Sequence, residues 1–335
     1  MSPPKIFTHV LTLNNEKTIA RLLDSLTPLG CDVLCVDLGS SDKTVEICYD
    51  RNVAIQHARG QKDMASVRNR IVETAEHDWQ LYLEPWEVLV DNHLLTASKM
   101  QLGGAYSLRI VTGEMVNHEV RFWNRTDGFK FKNPVYEHLD VPDAQIKPIN
   151  CSIYSDGSKS VSLERILEWK QSSPALVEPC YYEALYHLGK GDWNGFIASA
   201  MHYLFNRKLS SQSSIMMKYY LAIALCHIEK NANEAIKHIL ECIAVKPLMA
   251  EFWCLLGDVH YHLLREYKKA HQYYRNAMTL GSYRLSDDPW PMELAKYNKY
   301  PQKMLGSCEK LIEANRNLVQ VQSSSGGGMK SQEAR

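Results

Sequence analysis

The chain has 335 residues, enough for two domains with a core each, and its 45% hydrophobic and 23% charged residues are an ordinary globular balance. Lys plus Arg equals Asp plus Glu at 38 each, so no global field draws the chain to nucleic acid or to an anionic membrane, and any phosphate site must be local. No apolar run approaches a membrane span, and the amino terminus lacks the pattern of a signal peptide. The nine cysteines are scattered, without a CxxC pair or zinc-type spacing. Reduced thiols and a cytoplasmic location are therefore expected.

In chain order, Ile6 to Leu13 is a β-rich run bounded by prolines and by Asn14-Asn15. Glu16 to Leu26 has helical spacing, with Ile19, Leu22, Leu23 and Leu26 on one face. Asp32 to Asp37 reads as a short buried strand. After it, Gly39 to Asp42 forms a loop in which Ser41 or Asp42 caps a helix over Thr44 to Tyr49. Val53 to Gln56 predicts a third strand, and Met64 to Ala75 a helix. Trp79 to Leu83 predicts a fourth strand that stops at Glu84-Pro85-Trp86-Glu87, with Val88 to Asp91 beginning a helix. Ala105 to Val111 and Glu119 to Trp123 read as further strands.

Strands alternating with helices imply βαβ units and a mostly parallel sheet joined by right-handed crossovers. Ligands of such a sheet lie at the carboxyl ends of its strands. Three polar clusters fall there: Asn14, Asn15 and Glu16; Asp37 and Gly39; Glu84 and Glu87. Asp37 is placed to accept hydrogen bonds from a base or ribose. Arg121, Arg125 and Lys130 add local positive charge that could receive an anionic group, or form a solvated basic edge strand.

The order of four elements carries a resemblance. They are a strand ending in NNE, a strand ending in DLGSSDKT, a helix carrying ASVRN, and a strand ending in the acidic turn LEPWE. Together, over roughly Ile6 to Leu139, they resemble family 2 glycosyltransferases of the GT-A fold. The resemblance implies a nucleotide-sugar donor, UDP-sugar by preference, with Asp37 contacting the nucleotide and Arg68 facing it. It also implies a divalent cation, Mn²⁺ or Mg²⁺, at the turn. Relatives carry Asp-x-Asp where this chain has Glu84 and Trp86, and Glu87 matches a trailing glutamate. An indole cannot ligate a hard cation. The metal site then rests on Glu84 with Glu87, or the turn has become metal-independent or inactive. Trp86 either stacks on a sugar or plugs the core. Tyr136 replaces a histidine in Val135-Tyr136-Glu137, and His138 substitutes only if the backbone bulges. An inverting transfer needs a base for the acceptor hydroxyl. Glu137 is preferred by resemblance, and Glu114 and Glu119 are the other candidates.

Past residue 160 helical spacing takes over. Tyr182 to Ala200, Tyr220 to Pro247 and Trp253 to Ala277 each read as a pair of helices, and the step from Tyr220 to Trp253 is 33 residues. This is near the ~34-residue tetratricopeptide period, whose pattern W-x-x-L-G resembles Trp253 to Gly257. KLSSQSS, from Lys208, reads as an inserted loop. His187, His227, His260 and His262 follow the helical spacing and are expected to pack or face solvent. Ser286 to Met292 breaks the pattern before a last helix near Lys303 to Asn317. The domains expected are 1–157, an α/β GT-A Rossmann-like unit; 158–319, an all-α tetratricopeptide-like repeat; and 320–335, a disordered tail.

The leading expectation is a glycosyltransferase acting on a peptide, glycan or lipid-linked acceptor, with the repeats holding a protein partner or a second copy. The alternative is a degenerate nucleotide- or sugar-binding protein whose repeats recruit a partner. A dinucleotide-dependent oxidoreductase is disfavoured, because no GxGxxG follows the first strand.

Overall fold

The computed structural model describes residues 5–95, 103–157, 161–205, 211–285 and 287–325. The expected boundary at 158, the start of the KLSSQSS loop, Ser286 and the tail beyond Ser325 lie outside the described residues. The chain divides into two compact units. The first runs to Leu176 and includes Pro289–Pro291; the second takes Val177–Asp288 and the chain from Met292.

In the first unit the strands are β1 (Ile6–Thr12), β2 (Asp32–Asp37), β3 (Ala54–His57), β4 (Trp79–Leu83), β5 (Glu87–Val90), β6 (Ala105–Thr112), β7 (Met115–Asn124), β8 (Lys130–Lys132), β9 (His138–Asp140) and β10 (Ile146–Ser155). The helices are α1 (Ile19–Leu26), α2 (Thr44–Asp50), α3 (Met64–Thr74) and α4 (Leu163–Ser172). The main sheet has the order β3-β2-β1-β4-β7-β6-β10-β5. Its first four strands are parallel; β4 with β7, β7 with β6 and β10 with β5 are antiparallel. The sheet is thus mixed, with a parallel half.

Alternation along the strands builds a core on each face. Val10, Cys35, Leu81 and Leu83 pack with Ile19, Leu22, Leu23 and Leu26 of α1, while Leu11 and Val36 pack with Met64, Val67 and Ile71 of α3. Four fully buried aliphatic side chains on α1 contribute about 1.5–3 kcal/mol each, which holds this short helix in place. Beyond α3 the face is closed by the β8–β9 hairpin, where Phe131 and Leu139 pack on Tyr82 and Trp123.

Two local expectations are corrected. Val88 to Asp91 does not begin a helix. Glu87–Val90 is strand β5, because Leu89 registers with Ile153 of β10 and both enter the core. Helix α1 starts at Ile19 instead of Glu16, because the amides of Asn15 and Glu16 bond Thr44 Oγ1 and Asp42 Oδ2 outside the helix.

The second unit is built of paired helices: α5 (Glu178–Lys190) with α6 (Trp193–Phe205), α7 (Gln212–Ala224) with α8 (Ala232–Val245), and α9 (Ala250–Asp258) with α10 (Tyr267–Gly281). The long α11 (Lys299–Ser325) packs on α10 and runs through Gln320 to Ser325, where a disordered tail was expected. Helices α7 and α9 both end in a wide π-helical turn, at Leu225 and Val259, 34 residues apart. Tyr274 and Tyr300 both donate to Asp258 Oδ1, at 2.7 and 2.5 Å, and tie α9, α10 and α11 together. Of the expected packing histidines, His187 pairs with Asp192, His260 with Glu266, and His227 stacks on Trp193. No helix of the described residues is long and apolar enough to cross a membrane.

Candidate functional site

The carboxyl ends of β1, β2 and β4 lie side by side, and the chain leaves β1 toward β2 on one side while β4 enters on the other. This switch point is where an open α/β sheet leaves a crevice. Asn14, in the left-handed region at φ 55°, turns the chain out of β1. Its Oδ1 accepts from Ser41 N at 2.8 Å, and its own amide donates to Ser40 Oγ at 3.0 Å. Glu16 Oε2 accepts from Lys43 N, and Asn15 Oδ1 accepts from Leu13 N and Thr12 Oγ1. Asn15 and Glu16 therefore bind the β1 and β2 loops to each other.

Asp37 shapes the second loop. Its carboxylate accepts from Gly39 N at 3.2 Å and Ser40 N at 2.9 Å, and His57 Nδ1 lies 3.3 Å away. Burial alone would raise this carboxyl; the Ser40, His57 and Gly39 contacts outweigh it and hold it below the usual carboxylate range. Gly39 has φ 114°, which an L side chain rarely adopts, and a Cβ there would meet Arg59 Cγ at 3.0 Å. The exposed Arg59 thus lies across the loop.

The acidic turn is closed from inside. Glu87 N donates to Glu84 O, and Glu84 N to Glu87 Oε2 at 2.7 Å. Arg68, fully buried on α3, donates from Nη2 to Glu84 Oε1 at 2.9 Å and from Nε to Glu137 Oε1 at 2.8 Å. Arg121 donates to Glu87 Oε1 at 2.8 Å and pairs with Glu119 at 3.0 Å. A β-bulge turns Arg121 inward: Tyr106 pairs with Phe122 and Ser107 with Val120, leaving Arg121 as the extra residue. Both guanidinium groups lie over the Tyr82 ring, at 4.7 and 4.4 Å, which serves the N–H groups that lack acceptors. Glu84 and Glu137 raise Arg68 despite its burial, and Glu87 raises Arg121 likewise. Behind them His9 is wholly buried among Tyr82, Trp123 and Phe131; burial, then Arg68, lowers it well below its ordinary value and keeps it neutral.

A divalent cation needs carboxylate oxygens converging on one point. Glu84 and Glu87, the expected ligands, instead meet one arginine each, and no cluster of three metal-ligating side chains occurs among the described residues. As arranged, the turn does not fit a metal. Glu137 is buried with Arg68, whereas Glu114 stands exposed on the β6–β7 turn, so the two expected bases are not brought together. Tyr136 has φ 53°; this reversal sends Glu137 inward and leaves His138 exposed on β9. Trp86, half-buried, packs on Gly157, where a Cβ would come 2.6 Å from the indole.

Sequence reasoning passed over Tyr82, His9, His57, Arg59 and Asn69. Asn69 clamps β8 by bonding Phe131 N at 2.8 Å and Phe131 O at 3.0 Å. In the run Arg68-Asn69, one residue thus reaches the turn while the next fixes the hairpin that carries Glu137. The run itself was the signal.

No family profile matches the chain. Over 83 residues it is 28% identical to the SPbeta prophage-derived glycosyltransferase SunS of Bacillus subtilis and to the glycosyltransferase SunS of Bacillus phage SPbeta. That stretch is 24% of this chain and 20% of each relative, so the chain spans about a fifth of the length of the curated relatives it matches. Among solved structures, MamA from Desulfovibrio magneticus aligns with 48% of this chain and 85% of its own at 18% identity and a TM-score of 0.33. The TPR2B domain of yeast Sti1 aligns with 40% and 97% at 13% identity and a TM-score of 0.34. At these scores the helix pairs themselves, and not the likeness, describe the second unit.

Burial lifts Glu87 to about 7, with Arg121 pulling it back in part. The unfolded chain releases this proton near 4.5, so between there and 7 the folded state holds a proton the unfolded state has lost. Stability is therefore fully present below this window and falls as pH rises through it. Urea melts from pH 4.5 to 8 should show this loss in the wild type and not in Glu87→Gln. Parallel profiles for the two proteins would refute the burial assigned to Glu87.

Proposed function

We propose that the first unit is a GT-A-type glycosyltransferase domain that binds a nucleotide-sugar, UDP-sugar by preference, over the ends of β1, β2 and β4. The observation that carries this reading is the joining of sequence elements at one end of the sheet: Arg68 of the ASVRN helix bonds both Glu84 of the acidic turn and Glu137 beyond it, at the same end of the parallel strands as the Asp37–Gly39 loop. The partial likeness to SunS supports the same class.

In this reading the Asp37 loop, with Gly39 and Arg59, receives the nucleoside, while Asn15 and Glu16 hold that loop in place. Arg68 and Arg121 set the turn. The sugar C1–O(phosphate) bond breaks as the acceptor oxygen bonds to C1, and the acceptor proton passes to a base. Glu137 is a positioning residue for Arg68; Glu114 is the more accessible carboxylate. Mn²⁺ or Mg²⁺ is not built into the reading, since the Glu84 and Glu87 carboxylates each bond an arginine and do not converge on one point. The helix pairs of the second unit would hold a peptide or protein acceptor, or a second copy.

A second reading draws on the same ion pairs. A turn whose two carboxylates are spent on arginines suits a protein that binds nucleotide-sugar without turnover. Thermal shift and hydrolysis with UDP-, GDP- and dTDP-sugars, each with Mn²⁺ or with EDTA, separate the two. Stabilisation with slow hydrolysis that persists in EDTA supports the transferase. Stabilisation without hydrolysis or transfer under any condition supports the binding protein, and no stabilisation by any nucleotide would sink both.

A further inference from the structure

A second cleft, of about 330 Å³, opens on the first unit beside edge strand β5. Arg21, Trp86, Val88, Val111, Tyr154 and Asp156 line it, and none of them belongs to the Arg68–Arg121 cluster. Val88, Tyr154 and Val111 are in register across β5, β10 and β6, so they form one row on one face. The preceding Ile153 is wholly buried in the core, and the alternation sends Tyr154 outward, where it is 53% exposed. Tyr154, on the strand next to the edge, therefore presents its ring to the cleft. Trp86 makes a fixed wall, because the missing side chain of Gly157 lets the indole lie on the backbone. An ion pair between Arg21 and Asp156, about half-exposed on each side, stands at the rim.

The cleft thus offers an aromatic and aliphatic floor and, at its edge, donors and an acceptor of zero net charge. A neutral pair gives no net attraction to a phosphate or carboxylate, while its half-exposed polar atoms stay free to bond hydroxyl groups. A pyranose matches both parts: its C–H face lies on Tyr154 and Trp86, and its hydroxyls exchange hydrogen bonds with the guanidinium and carboxylate. The volume, at the small end for a ligand pocket, suits one sugar unit. We propose that this cleft binds a single neutral pyranose residue of a saccharide. Its role as a holder of acceptor glycan rests on the transferase reading; sugar binding itself does not.

The full-length protein should be titrated with glucose, galactose, mannose and N-acetylglucosamine, following saturation-transfer NMR and tryptophan fluorescence. At least one sugar is expected to bind saturably, with Tyr154→Ala and Asp156→Ala each weakening it about tenfold or more, the loss of one stacked ring face or one pair of hydrogen bonds. The nucleotide-sugar thermal shift should be unchanged in both variants. No saturable binding of any of these sugars, or binding that both variants leave within twofold, would overturn the proposal, as would binding of an unglycosylated peptide in place of sugar. A wild type that binds sugar at this cleft and no nucleotide-sugar upholds the cleft and overturns the donor reading alone.

Discussion

Replacing Arg68 by leucine is expected to destabilise the protein by about 3–5 kcal/mol, the range for removing one partner of a buried ion pair. Arg68 is wholly buried, and its two bonds hold Glu84 and Glu137, whose buried carboxylates would lose that guanidinium. Arg68→Lys tests geometry separately from charge. One ammonium cannot reproduce a fork that bonds one glutamate through Nε and the other through Nη2, so only part of the loss should return. A triple variant, Arg68→Met with Glu84→Leu and Glu137→Leu, should recover most of the stability, since apolar side chains of similar volume commonly replace a buried ionic cluster without penalty. It should nevertheless fail to bind nucleotide-sugar. Urea melts read the first effect and thermal shift the second. A loss below about 1 kcal/mol for Arg68→Leu would show that the ion pairs are not made in solution.

The Arg68 cluster also shows where sequence reading stops. Strands β1, β2 and β4 announce themselves because they are buried on both faces and read as apolar runs. The helix pairs do so because their contacts are local and repeat with the helix period. Arg68 meets Glu84 and Glu137 across separations of 16 and 69 residues, and no local pattern encodes such a meeting. Position at a strand end drew attention to Glu84 and Glu87 without showing their partners, so they read as cation ligands when each faces an arginine. The same reason explains β5. Val88-Leu89-Val90 is too short to declare itself, and its strand character comes from β10, more than 60 residues away. Asn15 and Glu16 show the converse. Their polarity at a strand end suggested ligand contact; the Asn15 side chain bonds Leu13 and Thr12 of its own loop, and the Glu16 carboxylate bonds Lys43 N of the neighbouring one.

Replacing Asp37 by leucine should abolish nucleotide-sugar binding within a practical range, a loss of about a hundredfold or more, equivalent to about 2.7 kcal/mol. Two effects combine. The carboxylate itself is removed from the end of β2, and the amides of Gly39 and Ser40, with His57, lose the acceptor that sets the loop. Hydrogen bonds to a charged group are worth about 1.5–3 kcal/mol each in favourable cases, so the loop alone accounts for much of the loss. Asp37→Asn separates the two. Its carbonyl oxygen keeps one acceptor for Ser40 N, while its amide nitrogen faces the Gly39 amide as donor against donor. Binding should then weaken by about tenfold with the fold intact, as judged by the near-ultraviolet signal of the buried Trp79 and Trp123. Calorimetric titration with UDP and with UDP-sugars reads both variants. If Asp37→Leu binds within twofold of the wild type, the nucleoside does not lie on this loop, and the crevice at the end of β2 loses its place in the mechanism.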